Sequence, residues 1–147
     1  MIYIYTLLTI HLAVVLILRD SEEGTYGIAI NKPLDLTLPS VVMNLPGPAP
    51  DAFKNNKIFH GGKVQRLNMI HEFRDVGGDE LPMSTEPIFA GGDIEEAAAI
   101  VQKDLTLSDK FHFYVGCYTW LWPSVDMLLI FYQHHLGFLT AFKTRSR

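Results

Sequence analysis

The sequence predicts an α+β domain, and three observations carry that prediction. Several short alternating apolar runs end in glycine turns, which is the period and punctuation of strands. The segment after Gly91-Gly92-Asp93 has the spacing and start signal of a helix. The chain has 147 residues, and a domain of about 150 residues buries about 68–70% of the surface its unfolded chain exposes, so one core suffices. A hydrophobic fraction of 48% with 19% charged residues argues against wholesale disorder and against a polytopic membrane protein.

Charge and cysteine content exclude further classes. The net charge is −4 and no segment clusters enough Lys and Arg to neutralise a row of phosphates, so no specific nucleic acid partner is expected. Cys117 is the single cysteine, which rules out an intrachain disulfide and a Cys-rich metal site. An intracellular, cytoplasmic location follows as the default, and a plastid location would need a transit peptide ahead of this chain.

Residues 2–18 contain no Lys, Arg, Asp or Glu. The run fits a signal anchor or one or two buried strands. It is short of the roughly 20 apolar residues a spanning helix needs, it lacks a basic start and a small-residue cleavage site, and His11 interrupts it. Val14, Val15 and Ile17 are β-branched and lead into the polar turn at Arg19–Gly24, so we read buried strand ahead of membrane anchor, and no membrane partner is expected.

Across that turn, Ile28 and Ile30 are expected to face the core, with Gly27 and Ala29 on the opposite face, where small side chains let another element approach. Asn31 and Pro33 are expected to stop this strand. Thr37 can then cap a helix with Pro39 in its first turn and Val41, Val42 and Leu45 on its apolar face. The Pro-rich stretch 46–50 breaks that helix and reads as a surface loop. Ile58–Val64 reads as a short strand into a glycine turn, Leu67–Phe73 as another strand, Gly77-Gly78 as a turn, and Pro87–Ala90 as a third short strand. Asp93 caps the clearest helix, with Glu96 three residues on and Ile94, Ala97, Val101 and Leu105 along one face. Phe111–Tyr118 alternates Phe111, Phe113 and Val115 against His112, Tyr114 and Gly116, the pattern of a strand.

Three stretches, taken together, resemble the AlgH-like family, also called YqgE-like, of small and largely uncharacterised proteins. They are Glu22-Glu23-Gly24 with Gly27-Ile28-Ala29-Ile30-Asn31-Lys32-Pro33, then Phe59-His60-Gly61-Gly62-Lys63-Val64, then Val115-Gly116 with Trp120. The resemblance spans about residues 10–126 and follows the family's order, including the Ala-rich helix before the last stretch. It implies a mixed, mostly antiparallel sheet, curled or barrel-like, with packed helices. Lys63 stands where the family usually has proline, and Gly116-Cys117-Tyr118-Thr119-Trp120 replaces its Gly-Tyr-Ala-Gly-Trp. Residues 127–147 do not resemble the family's closing segment, so the chain reads as a single AlgH-like domain over 1–147 with an atypical end. The family's named member has been linked to regulation of alginate synthesis, which implies a transcriptional role by association. No helix-turn-helix or basic patch in this chain supports such an act.

Signals for chemistry are sparse. The Gly-Gly doublets at 61, 77 and 91 match neither phosphate-loop pattern and read as tight turns. Gly91-Gly92 precedes a helix, but Asp93, Glu95 and Glu96 already occupy its positive end. None of His11, His60, His71, His112, His134 and His135 has metal-ligand spacing, and His60, His71 and His112 would have to meet across the sheet. Cys117 has no neighbouring base, and Ser84 and Ser124 lack the nucleophile elbow. No catalytic residue, metal ligand or cofactor is therefore expected. The residues marked as cleft-lining or turn-bracing are Asn31, Pro33, His60, Gly61, Gly62 and Trp120.

Three readings of function follow, the third of them a membrane-tethered domain held by residues 2–18 or 127–142. The first is a non-enzymatic intracellular interaction or regulatory domain with an unknown protein partner, able to self-associate through the apolar stretch 127–142. The second is a small ligand-binding or hydrolase-like enzyme with a cleft near Asn31 and Gly61-Gly62.

Overall fold

Residues 2–4, 13–81 and 86–120 are described in the computed structural model of the chain, the first three by their backbone path alone. In order they form β1 (Ile2–Ile4), β2 (Val14–Ser21), β3 (Gly24–Ala29), β4 (Pro33–Thr37), α1 (Leu38–Val41), α2 (Ala49–Ala52), β5 (Lys57–His60), β6 (Val64–His71), β7 (Asp79–Glu80), β8 (Phe89–Ala90), α3 (Ile94–Lys103) and β9 (His112–Trp120). Short 3-10 turns at Arg74–Val76 and Leu105–Lys110 lead into β7 and β9. The strands run β1-β2-β3-β9-β6-β8-β7, with β4 pairing β5 and β5 pairing β9. Every pairing described is antiparallel except the β5–β9 pair, and the sheet curls into a half-barrel with helices packed on it, the architecture expected for an α+β domain.

β9 is the axis of the molecule. One edge pairs with β6 along its length; the other pairs first with β5, at Phe113–Val115, and then with β3, at Tyr118–Trp120. The hand-over falls where Gly61-Gly62 crosses Gly116-Cys117. Here Gly61 N–H donates to the Val115 carbonyl at 2.7 Å and the Gly61 carbonyl accepts from Ala29 N–H at 2.8 Å. Two backbones pass so closely that a Cβ on Gly61 would strike the Gly116 carbonyl, one on Gly62 the Cys117 backbone, and one on Gly116 the Gly62 carbonyl. The buried Asn68 side chain donates to the Gly116 carbonyl at 3.1 Å, giving this stretch of β9, opposite the irregularity of β6 between Val64 and Leu67, a partner.

The apolar run at residues 13–17 lacks clean alternation because β2 is buried on both faces. Leu16 joins Ile28, Ile70, Tyr114 and Cys117 in one cluster, while Val15 and Ile17 join Ala13 and Ala29 in another. Ile28 and Ile30 sit in the first of these clusters and Ala29 in the second, as their alternation predicts. The largest cluster lies between the sheet and the helices, where Phe53 meets Phe111 and Phe113 edge-on at centroid distances of 5.4 and 4.9 Å. Three fully buried phenylalanines contribute about 1.5–3 kcal/mol each by burial.

The strand β3 closes at Ala29, ahead of Asn31 and Pro33 as expected; the chain then turns and Pro33 opens β4, where a proline is tolerated at the first residue of a strand. Two local expectations need correction. The helix capped at Thr37 is a single turn, ending at Val41, with Val41 itself exposed. Helix α3 stops at Lys103, so Leu105 leaves the apolar face and is 71% exposed. The stretch 127–142 lies outside the described residues. Among the described residues no helix is long and apolar enough to cross a membrane.

Candidate functional site

The motif residues gather at two places. Asn31, His60, Gly61 and Gly62 belong to the crossing described above. The Asn31 side-chain oxygen accepts from Val14 N–H at 2.8 Å, and His60 N–H donates to the Lys32 carbonyl at 2.8 Å, so both tie the end of the β3 region to its neighbours. Pro33 follows directly and pairs with Phe59. Trp120 is elsewhere, at the far end of β9 opposite Thr25. Sequence reasoning missed Asn68; its signal was a polar residue within the apolar run Leu67-Asn68-Met69-Ile70.

Trp120 forms a wall of an open depression of about 240 Å³, bounded by Arg19, Ser21, Glu23, Thr25, Tyr26 and Thr119. Its polar groups are already engaged with each other. Thr25 Oγ1 donates to Asp20 at 2.5 Å, Ser21 Oγ to the Gly24 carbonyl at 3.1 Å, and Arg19 lies 4.0 Å from Glu23. The Arg66 guanidinium sits 5.0 Å over the Tyr26 ring. Burial holds the Tyr26 phenol above its usual pKa, against the pull of Arg66. The depression is smaller than the roughly 300–1,000 Å³ of drug-sized ligand sites.

The reactive side chains are held by the structure. Cys117 is buried, and loss of solvent raises its thiol pKa while Arg66 pulls the other way, so the nucleophilic thiolate is disfavoured. His71 is buried with both ring nitrogens engaged by backbone, whereas His60 and His112 are exposed. Cross-strand pairing sets His112 opposite Ile70 and His60 opposite Val115. Among the described residues no group of three or more His, Cys, Asp or Glu side chains is arranged to hold a metal ion.

A sequence model of the AlgH-like family matches residues 9–122, a span that contains all three motifs and the crossing they build. The chain belongs to the AlgH-like family. It is 32% identical over 90 residues to a UPF0301 protein of Thioalkalivibrio sulfidiphilus, a match covering 59% of this chain and 48% of that relative, so the chain spans about half the length of the curated relative it matches. Its fold is similar to the solution structure of the AlgH protein from Pseudomonas aeruginosa, with a TM-score of 0.56, 20% identity, and coverage of 81% of this chain and 63% of that one. In this AlgH-like chain Gly61-Gly62 and Gly116 of the family motifs meet at a backbone joint, while Glu23, Gly24 and Trp120 of the same motifs line the depression.

Proposed function

We propose that this AlgH-like protein is a non-enzymatic contact domain that acts inside the cell by binding another protein, in a regulatory role. The observation that carries the reading is the surface at β4 and α1, where β4 pairs with β5 alone among the described residues. Leu36, Val41 and Met43 follow one another there and are 48%, 36% and 82% exposed. Pro33, Asp35 and the register shift of β4 discourage indiscriminate strand pairing here, so the exposed side chains suit a specific partner more than open-ended aggregation. Engagement of Cys117 and His71 by the fold supports the same reading.

The test is quantitative capture from the cell of origin. It compares the wild type with a Leu36→Glu/Met43→Glu variant and with Gln102→Glu on α3 as the surface control. A protein retained by wild type and control but lost by the double variant is the expected result. Identical retention by all three, or turnover of ester, amide or phosphate substrates by the purified protein, would overturn the reading.

A further inference from the structure

The geometry points to a proton-operated latch at His71, in which protonation of the imidazole releases the 73–78 turn and the head of α3 from the end of β6. His71 is the last residue of β6 and only 1% exposed, its ring stacked on Phe89 at 5.8 Å and tilted against Phe111 at 5.7 Å. Its Nδ1 accepts from Phe73 N–H at 3.2 Å, and its Nε2 lies 3.0 Å from the Gly91 carbonyl. A carbonyl can only accept, so Nε2 carries the hydrogen and Nδ1 carries none. This neutral tautomer satisfies both neighbours at once. A second proton on Nδ1 would face the Phe73 N–H donor to donor and place a cation among aromatic rings.

The two partners of the ring begin the two segments that the latch holds. Phe73 leads into the turn Arg74–Val76, and Gly91 leads into the cap of α3. Those segments are also joined to each other. Asp93 N–H donates to the Val76 carbonyl at 2.9 Å, and a Cβ on Gly92 would lie 2.7 Å from the same carbonyl. Release would uncover Phe73 and Val76, which pack against the main core.

The charged and titratable groups on the surrounding elements are exposed. They are Glu72, Arg74 and Asp75 next to His71, Asp79 and Glu80 on β7, Lys110 at the end of the 3-10 turn before β9, His112 at the start of β9, and Asp93 at the head of α3. Glu72 pairs with Lys110 at 3.1 Å and Arg74 with Glu80 at 3.1 Å, so the nearest carboxylates already face cations. Burial lowers the His71 pKa below its ordinary value, while the Gly91 carbonyl works in the other direction. The latched form is thus neutral and the released form titrates normally. Latching is strongest above the ordinary histidine value of about 6.5 and weakens as pH falls through it toward the folded value, by up to about tenfold per pH unit.

The test is amide exchange of the full chain, read as protection relative to intrinsic rates, alongside the NMR titration of the His71 ring. Between about pH 7 and about pH 5, protection at Phe73 and Asp93 should fall by up to about tenfold per unit while Tyr114 in β9 stays protected. In His71→Gln, whose side-chain amide can donate to Gly91 without titrating, that pH dependence should vanish. Constant protection at Phe73 and Asp93, a parallel fall at Tyr114, or the same pH dependence in His71→Gln would overturn the latch. The wild-type comparison of local with β9 protection decides the matter even where the variant folds poorly.

Discussion

A methyl group at Gly116 would run into the Gly62 carbonyl from a backbone already at φ 89°, whereas one at Gly77, at φ 81°, meets nothing within 4 Å. The two glycines separate strain from collision. Gly77→Ala should cost about 1–3 kcal/mol for backbone strain alone, and Gly116→Ala distinctly more, measured as the shift in urea midpoint. Equal losses would show that the crossing has slack. Cys117 gives a second check at this scale, since its thiol is buried and its pKa raised by loss of solvent. Alkylation of the native protein near neutral pH should be at least about tenfold slower than of the unfolded chain, and a native rate near the unfolded one would contradict an engaged thiol. Turn propensity was readable from the glycines, but their closest neighbours lie far away in sequence. No local pattern around Gly61-Gly62 names Gly116, so the joint was visible only as two separate motifs.

Among the elements, α3 was the most legible because its cap and apolar face lie within one continuous segment. Asp93 accepts from Glu95 N–H at 2.8 Å and Glu96 N–H at 3.4 Å, and Ala97, Ala98 and Val101 are buried. Asp93→Ala should cost about 0.5–2 kcal/mol in denaturant unfolding, and a loss below about 0.3 kcal/mol would mean the cap is redundant. Strand β4 was not legible. Pro33-Leu34-Asp35-Leu36 has a strand breaker in front and one cross-strand neighbour among the described residues, and its extended state is set by pairing with β5 rather than by propensity. Leu105 was misassigned because helical spacing continues past Lys103, while Asp104 caps the next turn through Thr106 N–H at 3.0 Å and ends the helix.

Over the whole molecule, composition and family motifs were enough for the α+β class, and the topology around β9 was not, because β9 shares one edge between two strands. The apolar stretch 127–142 gives a prediction from sequence alone: sedimentation should show self-association of the full chain and a monomer after truncation behind Asp126. Equal monomeric behaviour would remove that expectation. If the surface at β4 and α1 is where a partner docks, a photoreactive residue placed at Met43 in the living cell of origin, with one at Gln102 as reference, should form a single discrete adduct at position 43, suppressed by Leu36→Glu and missing from position 102. Equal adduct patterns at the two positions, or a position-43 adduct indifferent to Leu36→Glu, would contradict docking there.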